Sequence, residues 1–434
     1  MDVVIIGGGS AGTSCAIELR KRSKDVTITI LEESAYHEYS PCALPYVLSG
    51  EIPSFDDIFV FTDEDYERNA ITLVRETKVT SIHRKQKRVE AITDGTKSAY
   101  EYDALIIATG SEPSIPFAIE GDYHTLRTLD DAKRLAPELT TGRRLAVVGA
   151  GLIGLEAAHA GIERGMRVTV VEACERILAG LFDADMERRI RKTLGFDIRS
   201  ETRIKRAADG MLELETGEPI PYDVLLVAAG LVPDVVLARD AGLDIERGIT
   251  IDGTHRTSDP SIYAVGDCCE IERRFGKRGP VMLGTLAFQA APLIASSILN
   301  EPVHARAALG AAISRIKTHT FASTGLTLEH ARKLGIEATG ALIEGSTRSD
   351  YYPGEYPISV KLVARSDGVV IGGQILGRED VAGRINLISL AITHEHTLED
   401  LERLETVYNP ASAPIHEPIT IAAQMLRRKL KMKR

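Results

Sequence analysis

Cys42 is the side chain of this sequence whose type and position best suit redox or nucleophilic chemistry. It lies in YSPCALPYVLSG, between Pro41 and Pro45 and just past the first predicted strand–helix–strand unit. A thiolate there could relay electron pairs to a sulfur or oxygen acceptor, provided it is first deprotonated. Leu44 to Leu48 reads as a helix start, whose free N–H groups are expected to lower the thiol's pKa. Of the remaining cysteines, Cys15 falls on the first predicted helix and is expected to be packed. Cys268 and Cys269 are adjacent, unsuited to chelating one metal, and read as spectators. Five cysteines in all, with no CxxC pair, support neither a disulfide framework nor a zinc ribbon.

The glycine loop before Cys42 supplies a second chemistry, phosphate binding. Val3 to Ile6 is a β-branched run, Gly7, Gly9 and Gly12 have GxGxxG spacing, and Thr13 to Lys21 reads as a helix. Val26 to Ile30 is a second strand that ends beside Glu32. The first glycine permits a tight turn, the second lets backbone approach a pyrophosphate, and the third allows close helix packing. The acid some 20 residues on can hold a ribose.

The same arrangement recurs in mid-chain. Arg144 to Val148 is a strand, Gly149, Gly151 and Gly154 repeat the spacing, Leu155 to Arg164 is helical, and Val168 to Val171 leads to Glu172. Two such units imply two different nucleotides. An acid at Glu172 favours the free ribose of NADH, with Arg167 and Arg176 leaving NADPH open. Two matching segments, YDALIIATG (to Gly110) and YDVLLVAAG (to Gly230), each precede a proline-containing crossover. IYAVGD ends in Gly266 and Asp267, where an aspartate can hydrogen-bond the ribityl or pyrophosphate end of a flavin. A helix over about Leu286 to Leu299 follows.

The elements that must position these residues need a large chain, and this one has 434 residues, about three domains at roughly 150 each. Hydrophobic residues at 44% and charged residues at 26% are those of a folded soluble protein, which excludes disorder and fibre. A net charge of −10 argues against broad nucleic-acid or anionic-membrane binding. No apolar run approaches the roughly 18 residues of a membrane helix. The start, MDVVIIGGGSAG, has an early acid and no basic lead, so it reads as a strand and not a signal peptide, and a cytoplasmic location is expected.

In combination, GGGSAG with Glu32, IIATG, GAGLIGLE with Glu172, VAAG and YAVGD, in that order, resemble the flavoprotein pyridine nucleotide-disulfide oxidoreductases. The resemblance implies an α/β chain of two Rossmann-like nucleotide-binding domains, the NAD domain inserted in the FAD domain, plus a C-terminal α+β dimerisation domain. Carried onto this sequence, the FAD domain takes residues 1–114 and 245–318, the NAD(P)H domain 115–244, and the dimerisation domain 319–434. FAD would meet Gly7, Gly9, Ser10, Ala11, Gly12, Glu32, Cys42, Ala108, Thr109, Gly110, Gly266, Asp267, Thr285 and Ala287. NADH, or NADPH, would meet Gly149, Gly151, Leu152, Ile153, Gly154, Glu172 and Gly230. No metal is implied.

Cysteine usage sets the subgroup. The lipoamide and glutathione type has a CxxxxC pair, whereas this region holds Cys42 alone. That is similar to the single-cysteine branch: coenzyme A-disulfide reductase, NADH oxidase, NADH peroxidase and persulfide reductase. In coenzyme A-disulfide reductases, tyrosines of a YYPG-like and a YxPxxS-like segment reach the redox cysteine across the dimer. The counterparts are Tyr351-Tyr352-Pro353-Gly354, with Tyr352 preferred of the pair, and Tyr408 with Ser412. Three departures stand out. Glu38 and Pro41 replace the serine and asparagine of the usual SFxNC, with Glu38 adding negative charge where a phosphorylated substrate approaches. Ser10 replaces the peroxidase histidine, which disfavours a peroxidase.

Other expectations concern the surface. Arg20, Lys21 and Arg22 read as a solvated helix end, with coenzyme A phosphates as the alternative. RRKLKMKR, six positive charges in the last eight residues, reads as a frayed tail. His394, His396 and His416 read as surface residues. In the dimerisation part, Leu328 starts a helix, Val360 to Ala364 and Val369 to Leu376 pair through an Asp367-Gly368 turn, and Ala382 to Thr393 and Leu398 to Leu404 are helical. The expected activity is that of a homodimeric FAD enzyme that passes electrons from NADH through Cys42 to a small disulfide, persulfide or polysulfide, with coenzyme A-disulfide first. The alternatives are dioxygen reduction and an electron-transfer subunit of a larger complex.

Overall fold

The computed structural model describes residues 1–432. Alternating β-branched runs and glycine turns give a parallel sheet from the first residues onward. β1 (Asp2–Ile6) leads through the glycine loop into α1 (Ser10–Arg22), which returns to β2 (Thr27–Leu31), parallel to β1. After α2 (Leu44–Ser49) and α3 (Asp63–Arg68), β3 (Ile71–Val74) joins the far side of β2. β4 (Ala104–Ile107) lies on the other side of β1, buried along its length, as expected of a strand covered on both faces.

The second unit opens after α4 (Leu129–Leu135). β5 (Arg144–Val148), α5 (Leu152–Glu163), β6 (Arg167–Val171), α6 (Ala184–Leu194), β7 (Asp197–Arg199) and β8 (Val224–Val227) form it, with strand order β7-β6-β5-β8. β9 (Ile262–Ala264) then returns to the first sheet beside β4, giving the order β9-β4-β1-β2-β3. The second nucleotide fold is therefore inserted in the first. α7 (Gly284–Ile298) closes the first fold by packing on α1.

The rest of the chain is an antiparallel sheet with helices. β10 (Ala312–Ile316), β11 (His319–Gly325), α8 (Leu328–Lys333), β12 (Ala338–Ser346), β13 (Pro357–Arg365) and β14 (Val370–Gly377) give the strand order β10-β11-β14-β13-β12. The expected β13–β14 hairpin turns at Gly368, whose φ of +94° only glycine adopts without strain. β14 is buried throughout because α9 (Val381–Thr393) and α6 both pack on it. α10 (Leu398–Glu402) and α11 (Pro418–Lys431) complete the domain. α6 is tied to this sheet by a buried polar cluster. Lys361 Nζ lies 3.0 Å from Asp183 and 2.6 Å from Asp185, and the Gln374 amide donates to Asp183 at 2.7 Å.

Two surface expectations are corrected. Arg20 is not solvated: it is buried, and its guanidinium donates to the carbonyls of Val26, Asn69 and Ala70, tying α1 to β2 and β3. Its neighbours are also engaged, Lys21 with Glu18 and Arg22 with Glu301. The basic C-terminal run is not frayed through residue 431, because it is the last part of α11. Arg427 Nε meets Glu402 at 2.6 Å and Lys429 donates to the Gly340 carbonyl. Lys433 and Arg434 lie outside the described residues. No described helix is long and apolar enough to cross a membrane. His394, His396 and His416 are exposed as expected, while Cys15, Cys268 and Cys269 are buried.

Candidate active site

Two dinucleotide cradles have matching geometry. In the first, Gly7 turns at φ +101°, and a Cβ on Gly12 would stand 2.0 Å from the Gly7 carbonyl oxygen. The Glu32 carboxylate accepts from the Gly8 N–H at 2.6 Å and the Ser34 N–H at 2.8 Å, so the acid is braced at the loop. In the second, Gly149 turns at φ +105°, and a Cβ on Gly154 would stand 2.0 Å from the Gly149 oxygen. Glu172 accepts from Ala150 at 2.8 Å and Cys174 at 2.7 Å. Gly9, Gly151 and Gly230 have nothing within 4 Å of a Cβ position, leaving room for ligand against bare backbone. α1 and α5 begin directly after these loops, at Ser10 and at Leu152 and Ile153, with free N–H groups suited to phosphate.

The remaining predicted flavin residues lie on elements of the first nucleotide fold. Ala108, Thr109 and Gly110 follow β4. The Ala108 N–H donates to the Ile6 carbonyl, and the Thr109 hydroxyl to that of Asp234. Gly266 turns at φ +80°, where an added Cβ would meet Ala11 at 3.1 Å. Asp267 accepts from the Ser111 hydroxyl at 3.0 Å, with Arg127 Nη2 at 3.8 Å. Thr285 and Ala287 lie in the first turn of α7, the former exposed and the latter buried. The two open cradles, each with a braced acid, fit FAD and a nicotinamide dinucleotide.

Cys42 sits in a single 3-10 turn, Pro41–Ala43, directly before α2. α2 packs on α5, and Arg164 secures its last carbonyls by donating to Leu48 at 2.6 Å and Val47 at 3.3 Å. The residue is exposed, yet its thiol is pushed above its ordinary pKa. Burial of the sulfur contributes most, then the carboxylates of Glu156 and Asp267, with Arg127 opposing. The expected lowering by the helix start does not occur. α2 has only six residues, and burial of the sulfur, then two nearby acids, set the direction.

Sequence reasoning missed three neighbours. Glu156 lies on α5, accepts from Ser314 of β10 at 2.6 Å, and is raised above the usual carboxyl range by burial against that hydrogen bond. Its signal was the acid of GAGLIGLE, set among apolar residues in the first turns of α5. Arg127, just before the Thr128 cap of α4, donates to the Ser111 carbonyl at 3.2 Å. Tyr46 of α2 lies beneath Arg315, 5.7 Å from the ring centre. Glu38 is relocated. It does not face incoming substrate but is 2% exposed, behind the first glycine loop.

The tyrosines divide differently from the expectation. The hydroxyls of Tyr351 and Tyr408 meet in a short hydrogen bond, whereas Tyr352 lies under the Arg348 guanidinium, 5.4 Å from the ring centre. Tyr351 is 74% exposed, and Val407 and Ile415 near Tyr408 are also bare.

Comparison with known proteins agrees with this geometry. Residues 1–291 match the model for pyridine nucleotide-disulphide oxidoreductases and residues 316–417 the model for their dimerisation domain. The chain is 35% identical to an NADH oxidase of Methanocaldococcus jannaschii, with all of both chains covered. It is 30% identical to a CoA-dependent NAD(P)H sulfur oxidoreductase of Pyrococcus abyssi, over 98% of each. Among solved structures, an NAD-dependent persulfide reductase from A. fulgidus superposes with a TM-score of 0.94 at 30% identity, covering 100% of this chain and 84% of the other. With both nucleotide folds and the dimerisation domain matched, the chain belongs to the pyridine nucleotide-disulphide oxidoreductase family, whose members are FAD-dependent NAD(P)H oxidoreductases.

Proposed function

We propose that this enzyme reduces a low-molecular-weight disulfide, persulfide or polysulfide with NADH, coenzyme A-disulfide or a coenzyme A persulfide first among them. The observation that carries this reading is Cys42, an exposed sulfur in a turn held between the flavin-side Asp267 and Arg127 and the α5 carboxyl of Glu156. Bound FAD supplies the relay of an electron pair from nicotinamide to sulfur. This chain's residues then do the rest. The first cradle and Glu32 hold the flavin nucleotide, and the second cradle and Glu172 hold NADH.

Cys42, once deprotonated, attacks one sulfur of the acceptor. A bond forms between Sγ and that sulfur, the acceptor's S–S bond breaks, and the departing thiolate needs a proton. Tyr351 and Tyr408 of a second copy are the groups we assign to supply it, in place of Tyr352. Their exposure beside Val407 and Ile415 suits burial between two copies of the dimerisation domain. The named relatives include a CoA-dependent sulfur oxidoreductase and a persulfide reductase, which supports the acceptor class. Dioxygen reduction is the second reading, favoured by the identity to the M. jannaschii NADH oxidase.

The test is anaerobic reduction of the FAD-loaded enzyme by NADH, followed by stopped-flow reoxidation with coenzyme A-disulfide, a polysulfide or dioxygen. Cys42→Ser is run beside wild type. Fast reoxidation by a sulfur compound, lost in the variant, is expected. Fast reoxidation by dioxygen alone, retained in the variant, would replace the sulfur reading with an oxidase.

A further inference from the structure

Glu38 follows β2 by a short loop and is 2% exposed, and neither carboxyl oxygen has a partner at ordinary hydrogen-bond geometry among the described residues, the Ser10 hydroxyl being a looser polar neighbour. A buried carboxyl without a partner is costly, most of all when ionised. Its backbone is well anchored, the carbonyl accepting from Val60 at 2.9 Å and the N–H donating to Tyr66 of α3 at 3.4 Å. That Tyr66 hydroxyl pairs with Thr13, whose hydroxyl donates to the Gly8 carbonyl at 2.8 Å, which sets Glu38 behind the first glycine loop. There the Ser10 hydroxyl, at the start of the 13-residue α1, is the polar group that acts on it.

That helix start has no side-chain cap, and the space at Gly9 is open. It is the position for the flavin pyrophosphate, which carries two negative charges. A carboxylate beside it would repel, whereas a carboxylic acid is a hydrogen-bond donor. We infer that Glu38 works in its neutral form beside Ser10 in the FAD cradle, so that the protein holds its flavin less tightly as the carboxylate forms.

The surroundings agree. From α1 it faces Ser10, with Thr13 behind, whose hydroxyl pairs with Tyr66 at 3.0 Å. From α3 it faces Tyr66, a phenol raised chiefly by burial and further by Glu38 and Glu32. His37, its neighbour in sequence, turns to the Phe59 ring instead. Among the described residues no lysine or arginine pairs with it. Burial pushes the carboxyl up to about 7 against the opposing Ser10.

The test is equilibrium dialysis of the full-length apoprotein with FAD between about pH 5.5 and about pH 8.5, reading free flavin by fluorescence. Wild type is expected to show a Kd that rises about tenfold per pH unit above the carboxyl's titration, while Glu38→Gln stays flat. Glu38→Ser, also uncharged, replaces it if the amide does not fold, with the same expectation. A flat wild-type profile would overturn the inference, as would a slope surviving in the folded variant. Binding that tightens with pH would instead make the carboxylate an acceptor from a flavin hydroxyl.

Discussion

The hydroxyls of Tyr351 and Tyr408, 57 residues apart in sequence, share one hydrogen bond at the exposed end of the dimerisation domain. Sharing a proton leaves Tyr351 easier to ionise than an isolated tyrosine, through Tyr408 and then Ser349, and Tyr408 harder. A pair of this kind can give a proton and be restored by its partner. Tyr351→Phe and Tyr408→Phe are each expected to lower kcat with the sulfur acceptor by at least about tenfold, and the double variant to be little worse. Tyr352→Phe should stay within about twofold of wild type, since its ring serves Arg348. Flavin reduction by NADH, followed by absorbance, should be unchanged in all of them.

Cys42 rests with its thiol raised, chiefly by burial and next by the Glu156 carboxylate. Removing that charge should release more thiolate. Glu156→Gln is expected to speed alkylation of Cys42 at about pH 8 by about threefold, whereas Arg127→Met should slow it. Alkylation rates against pH, with the modified residue identified by mass spectrometry, check both directions. Equal rates in all three proteins would remove Glu156 and Arg127 as controls of the sulfur.

Much of this arrangement was legible in the sequence because short-range geometry carried it. Gly7, Gly12 and Glu32, like Gly149, Gly154 and Glu172, act within one strand-turn-helix unit, so spacing alone located them. The insertion of one nucleotide fold in the other was legible only through the family resemblance, and β9, which leads into Gly266 and Asp267, meets it by returning beside β4. What could not be read depends on contacts between distant segments. Arg20 looks like any basic helix end until Asn69 and Ala70 are seen to receive its donors. Glu38 was recognised as a misplaced charge, but its burial depends on α3 closing over the loop. Tyr351 and Tyr352 are adjacent, the sequence favours Tyr352, and only the fold gives Tyr351 to Tyr408.

Nicotinamide preference follows from three side chains. Glu172 is held by two backbone N–H groups where a ribose would approach. The arginines that could take a 2′-phosphate are occupied, Arg176 by both oxygens of Glu329 on α8 and Arg167 by the Gly142 carbonyl. kcat/KM for NADH is expected to exceed that for NADPH by at least about tenfold, or about 1.4 kcal/mol. Glu329→Gln, which loosens Arg176, should narrow the ratio by raising the NADPH value. Steady-state kinetics with both nucleotides measures it, and an unchanged ratio would show that Arg176 does not reach the site.

The buried Asp183–Lys361–Gln374 cluster predicts a pH-dependent link between the NAD-side helix α6 and the dimerisation sheet. Burial alone would raise Asp183, but Lys361, Gln374 and the Leu328 N–H overcome it and hold the carboxyl below its usual range. A carboxyl lowered on folding contributes stability that is complete above its unfolded value, near pH 4, and is lost as pH falls through the folded value. Asp183→Asn should therefore cost about 2 kcal/mol at neutral pH, because it leaves the Lys361 ammonium with Asp185 alone, and progressively less in acid. Pairing it with Lys361→Met should recover part of the loss, since the double change leaves no buried charge uncompensated. Urea unfolding of wild type, each single variant and the double variant at about pH 7 and about pH 3.5 measures both effects. A cost for Asp183→Asn that stays constant across that range would mean that the aspartate holds the two domains together by its shape and hydrogen bonds, and that its charge contributes nothing.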